Sequence, residues 1–140
     1  MKLVTLITAN AILFVAFGIA FALYGPLMLA FFGAPELSIN TADYWHIASF
    51  ARMFGAALFS LGLLLWSVSR FIETLTPAHR RGVIFALLLS DLLAAIVTLT
   101  QQSAIWGTVA GWVTSAIFII LTFIYVYFLA AEQKTPAPSS

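Results

Sequence analysis

Residues 42–69 read ADYWHIASFARMFGAALFSLGLLLWSVS, and they decide the fold class. The stretch is longer than the roughly 20 mostly apolar residues that cross a bilayer. Ala48, Gly55 and Gly62 recur in it at seven-residue spacing, with Ala56 beside them. Lipid tails are as apolar as leucine, so helices in a membrane associate by close approach of small residues. A long apolar run with such a stripe reads as a membrane helix with a packing face. Its interior holds one ionisable residue, Arg52.

Three further runs of the same kind flank it, at about 3–32, 77–100 and 104–131. The whole chain of 140 residues is 63% hydrophobic and 8% charged. A soluble domain carries about 25% charged residues, so that class is excluded. Six basic residues against five acidic ones exclude a charge-driven nucleic-acid partner. The absence of cysteine removes disulfides, thiol redox chemistry and cysteine metal sites. Only helices or closed barrels satisfy the backbone in lipid. The expected fold is therefore all-α, an antiparallel four-helix transmembrane bundle over residues 1–131. Residues 132–140, with two prolines and two serines, read as a disordered cytoplasmic tail.

Local signals set the boundaries. Asn40, three before Asp43, reads as the N-cap of span two. Thr76-Pro77 reads as an N-cap followed by proline at the first helical position. Gly25-Pro26 predicts a kink late in span one. Gln101-Gln102-Ser103 predicts a short link that folds spans three and four into a hairpin. The apolar stretch after Lys2 is about twice the length of a signal-peptide core of roughly 7–15 residues, so span one is expected to be retained. Lys2, Arg70, Arg80, Arg81 and Lys134 fall in alternate loops, and the loops after spans one and three have no basic residue. The positive-inside rule then predicts both termini on the cytoplasmic side.

Packing faces follow from the small residues. Ala11, Gly18 and Gly25 form a stripe in span one that matches Gly55 and Gly62 in span two. Gly107 and Gly111 form a Gly-x-x-x-Gly pair in span four, followed by Thr114 and Ser115. That pair serves packing inside the chain or a homodimer. Phe14, Phe17, Phe21 and Tyr24 recur on another face of span one, as bulk against acyl chains or neighbouring helices or as the wall of a pigment or quinone pocket.

Ionisable residues inside spans default to functional hypotheses. Arg52 and Asp91 both fall within about 15 Å of an end of their own spans, so a salt bridge between them is one expectation. Arg52 shares a face with Ala48, Gly55 and Ala56, which predicts a position in the packed interior. Asp91 shares a face with Ala94, Ala95, Thr98 and Gln102, a polar track toward the outer surface. Asn10 reads as an interhelical hydrogen-bonding residue. Asp43 and His46 share a face at the outer interface, where water satisfies both. His79 lies on the opposite side by this topology, so the two histidines do not join in one haem or metal site. No Ser-His-Asp set, phosphate loop or His-Glu-x-x-His motif occurs. No enzyme, cofactor or metal is expected.

The stretch from Ala51 to Gly62, ARMFGAALFSLG, and the stretch from Gly107 to Trp112 resemble small bacterial four-helix membrane proteins of the DoxX-like type and neighbouring domains of unknown function. The resemblance implies a four-helix fold in a bacterial inner membrane, multi-pass, and no established activity. The lack of cysteine departs from thiol-linked DoxX relatives, so no redox role carries over. The expected function is a non-enzymatic membrane protein, either an accessory subunit or a binder of an apolar or amphipathic small molecule or lipid. The alternative is a small proton- or ion-coupled transporter using Asp91 and Arg52. The partners so implied are membrane lipids and a larger membrane complex or a second copy, without nucleic acid.

Overall fold

The structure, a computed structural model, describes residues 2–33 and 41–133. Four long helices account for almost all of them: α1 (Leu3–Phe31), α2 (Ala42–Phe71), α3 (Pro77–Gln101) and α4 (Val109–Gln133). A 3₁₀ turn, Ile72–Thr74, ends α2, and a π-helical turn, Gln102–Trp106, follows α3. No strand occurs among the described residues. All four helices are long and apolar enough to cross a membrane. The chain is thus all-α and fits a multi-pass integral membrane protein. It divides into two compact units, residues 1–73 and 74–140, each a helical hairpin.

In the first hairpin, the glycine stripes set the register. A methyl group on Gly18 would come within 2.7 Å of Phe59 Cα, and one on Gly62 within 2.8 Å of the Val15 nitrogen. One on Gly55 would meet the Gly18 carbonyl at 2.8 Å. The two backbones therefore touch with no room for a β-carbon. Ascending numbers on α1 meet descending numbers on α2, so the helices are antiparallel. Ala11, Gly18, Gly25, Ala48, Gly55 and Gly62 are all buried, as the small-residue spacing predicts. Gly25 is looser, with Ala51 Cβ at 3.4 Å from where its own would stand. Ala56, expected beside the stripe, is exposed.

The kink also forms. Tyr24 leaves helical geometry (φ −119°, ψ 33°) two residues before Pro26, whose ring and missing N–H interrupt the ladder. Phe14, Phe17 and Phe21 are half-buried, and only Tyr24 of that aromatic stripe is exposed. Phe21 stacks edge-to-face on Phe54 at 5.3 Å, so it is part of the hairpin rather than lipid-facing bulk.

Capping differs at one end and matches at another. Thr41 caps α2, its hydroxyl accepting from the Tyr44 N–H at 3.3 Å. The expected cap, Asn40, lies outside the described residues. Thr76 caps α3 as expected, accepting from the His79 N–H, with Pro77 at the start of the helix.

The second hairpin corrects two boundaries. The turn between α3 and α4 is not the three residues 101–103. The helix continues through Gln101 into the π turn and ends at Gly107, which adopts the left-handed conformation (φ 60°). Gly107 is therefore a cap, and no atom lies within 4 Å of where its β-carbon would stand. It is not a packing glycine. Gly111 does pack: a methyl group there would overlap the Gln102 side chain. At the far end α4 runs on through Glu132, which was expected to open the disordered tail. The residues beyond Gln133, Lys134 included, lie outside the described residues.

Candidate functional site

The polar residues singled out in the sequence separate into three settings. Arg52 belongs to the first hairpin, and the structure overturns its expected place in the packed interior. The buried face of α2 is Ala48, Ala51, Gly55, Gly62, Leu65 and Ser69. Arg52 stands one position off that face and is exposed. Its stem passes Gly25, with Cγ 3.5 Å from where a β-carbon would be. Among the described residues its guanidinium has no hydrogen bond or ion pair. The reason is geometric. A seven-residue stripe leaves only a narrow line in contact when two backbones touch, and the arginine stem is too bulky for that line.

Asp91 lies in the second hairpin. It is 1% exposed, on one buried α3 face with Ala95, Thr98 and Gln102. The Thr98 hydroxyl donates to its own helix, to the Ala94 carbonyl at 2.8 Å. Gln102 donates from Nε2 to the Thr108 carbonyl at 3.0 Å, which ties the π turn to the start of α4. Ser115 is buried and donates to the Gly111 carbonyl. The track's hydroxyls and amide donors are thus largely engaged with local backbone. Asn10, in the other hairpin, is 1% exposed. Asp43 and His46 are both exposed at the start of α2.

At the opposite end of the second hairpin, two arginines of α3 converge on the end of α4. Arg80 Nη2 pairs with Glu132 at 2.6 Å to Oε1 and donates to Oε2 at 2.8 Å. Arg81 donates to the Glu132 backbone carbonyl. That carbonyl is one of the last in α4, so a cation there also complements the helix dipole.

A cleft of about 390 Å³ opens in the first hairpin, between the beginning of α1 and the end of α2. Val4 and Thr8 line one side, and Trp66, Ser69, Arg70 and Glu73 the other. Its wall is apolar at Val4 and Trp66, and Arg70 and Glu73 stand exposed at its mouth. Ser69 is turned to the helix, its hydroxyl donating to the Trp66 carbonyl at 2.7 Å. Sequence reading did not find this cleft. Trp66, Arg70 and Glu73 are visible as one helix face, but Val4 and Thr8 join them only through the glycine register. That register, extended from Gly18–Phe59 and Val15–Gly62, was the signal available.

No family model, curated protein or solved structure matches this chain.

Proposed function

We propose that this protein is a non-enzymatic membrane protein of a bacterial inner membrane that binds an amphipathic small molecule or lipid. The observation that carries the reading is the cleft lined by Val4, Thr8, Trp66, Ser69, Arg70 and Glu73. Its chemistry is that of an amphiphile's two ends. Val4 and the Trp66 ring offer apolar contact, and Arg70 offers a cation with no ion pair among the described residues. In the cytoplasmic-termini topology this cleft faces the inner headgroup layer.

The test is gentle detergent purification followed by identification of what stays bound. The reading expects a bound amphiphile, at least fivefold depleted in the Arg70→Gln variant. Equal retention by both proteins overturns it. A stoichiometric partner protein retained by both, with no amphiphile, replaces the binder reading with that of an accessory subunit.

The second reading is a proton- or ion-coupled transporter. It is favoured by one observation, a carboxylate 1% exposed at Asp91 in the middle of a span-length helix. Buried ionisable residues in such helices mark ion pathways. The exposed Arg52 gives it no further support.

A further inference from the structure

Arg52 and Arg70 are separated by 18 positions of α2. At 3.6 residues per turn that is five whole turns, so the two arginines share one helix face. At 1.5 Å per residue they stand about 27 Å apart along the axis. The hydrocarbon core of a bilayer is about 30 Å thick. Both side chains are exposed, and neither has an ion pair or hydrogen bond among the described residues.

The face between them borders α1, where the Phe59 backbone abuts Gly18, and is otherwise open. Phe59 and Leu63 lie on it with exposed side chains. The two hydroxyls nearby are spent on their own helix: Ser60 donates to the Ala56 carbonyl at 2.9 Å and Ser67 to the Leu63 carbonyl at 3.0 Å. An arginine stem can lie along apolar surface while its head reaches the headgroup layer.

We infer that Arg52 and Arg70 each hold the phosphate of a phospholipid, one in each leaflet, and that the hydrocarbon core spans α2 from one to the other. Arg52 is then an interfacial phosphate site and not a mid-membrane charge. The ten residues of α2 before it, with Asp43, the stacked Tyr44–Trp45 pair and His46, stand in the headgroup layer. The glycine register puts Gly25 opposite Arg52, so the α1 kink at Tyr24–Pro26 falls at the same boundary. Beyond it Leu27 and Phe31 are exposed. At Arg70, which lines the cleft, the inference rests on the proposed amphiphile site; the Arg52 half stands with the cleft empty.

The chain has no cysteine, so single-cysteine spin labels report depth cleanly. Labels at Ser49→Cys and Ser60→Cys are compared in phosphatidylglycerol-containing vesicles by their collision rates with oxygen and with a water-soluble nickel chelate. The expected result is Ser60 deep in the hydrocarbon and Ser49 at least fivefold more accessible to nickel. Equal depth at the two positions would put Arg52 near the bilayer centre and overturn the inference. The phosphate contact is tested by counting phospholipid phosphorus retained per chain after delipidation. Arg52→Gln is expected to lose about one lipid per chain and Arg52→Lys to keep it, with added inorganic phosphate displacing none. Unchanged retention in Arg52→Gln, or displacement by inorganic phosphate, overturns the lipid assignment.

Discussion

The two hairpins hold their helices together in different ways. In α1–α2 the contact runs through Gly18, Gly55 and Gly62, so close to the facing backbone that no β-carbon fits, and loosens at Gly25. In α3–α4 polar groups tie both ends. The Gln102–Thr108 bond holds the turn, where Gln102 also fills the space beside Gly111, and Arg80 and Arg81 grip Glu132 at the open end. Without a hydrophobic force between helices, both solutions are available in lipid: dispersion over a close backbone contact, or hydrogen bonds where polar groups would otherwise be unpaired. The first fails when volume is added between the backbones. The second tolerates no volume at Gly111 either, and fails in addition when a donor or acceptor is removed.

The largest expected effect breaks the first solution. Gly18→Ala and Gly55→Ala each force backbone apart, because the atoms in the way are Phe59 N and Cα or Ala22 N and the Gly18 carbonyl, none of which can rotate aside. Overpacking of this kind costs about 1–3 kcal/mol. Unfolding by detergent titration should show that loss for both variants. Gly25→Ala, whose nearest neighbour is a methyl carbon at 3.4 Å, should lose less than half as much. Equal losses at all three would mean that backbone contact is not what joins α1 to α2.

How much of this was legible before the structure depends on whether a feature is local or relational. The spans, the small-residue stripes, the Thr76–Pro77 start and the Pro26 kink are local: composition, spacing and the proline ring determine them. The side of α2 on which Arg52 emerges is relational. One position, about 100° of helix, separates the buried Ala51 from the exposed Arg52. A stripe counted by sevens is too coarse to decide between them. The role of Gly107 was misread for a similar reason. Gly-x-x-x-Gly at 107 and 111 has packing spacing, yet the first glycine ends a π turn and only the second is on α4. Glu132 was assigned to the tail by the polarity around it, and its helical state comes with grips from α3 that no local pattern announces. Asp91 was legible as the unusual residue of its span and in the face it shares with Ala95, Thr98 and Gln102, but its burial is seen only in the fold.

The next effect breaks the second solution. Glu132→Ala removes the carboxylate that Arg80 holds, while the Arg81 contact to the backbone carbonyl survives. The pair is mostly shielded, with side chains 27% and 14% exposed, so its loss lies between that of a surface and a buried pair. About 1–2 kcal/mol is expected. The difference from wild type should shrink as salt is raised toward 1 M, because the remaining exposure lets ions screen the pair. A salt-independent loss would assign the effect to the helix end itself and not to the ion pair.

The smallest effects come from the two glycines with open space around them, and they should differ in sign. Gly107 and Gly82 both have no atom within 4 Å of a would-be β-carbon. Sterics therefore predict that alanine is neutral at each, and only backbone conformation separates them. Gly107 sits at φ 60°, where an L-residue crowds its own carbonyl, so Gly107→Ala should destabilise by about 1 kcal/mol. Gly82 is an exposed position within α3, where alanine lowers the entropy of the unfolded chain and favours the helix. Gly82→Ala should stabilise by up to about 1 kcal/mol. Paired thermal unfolding of the two variants measures this directly. Opposite shifts would mean that the α3–α4 turn is held by a conformational cap as well as by Gln102. Shifts of the same sign would instead remove Gly107 from the account of that hairpin, leaving its turn to the Gln102–Thr108 bond alone.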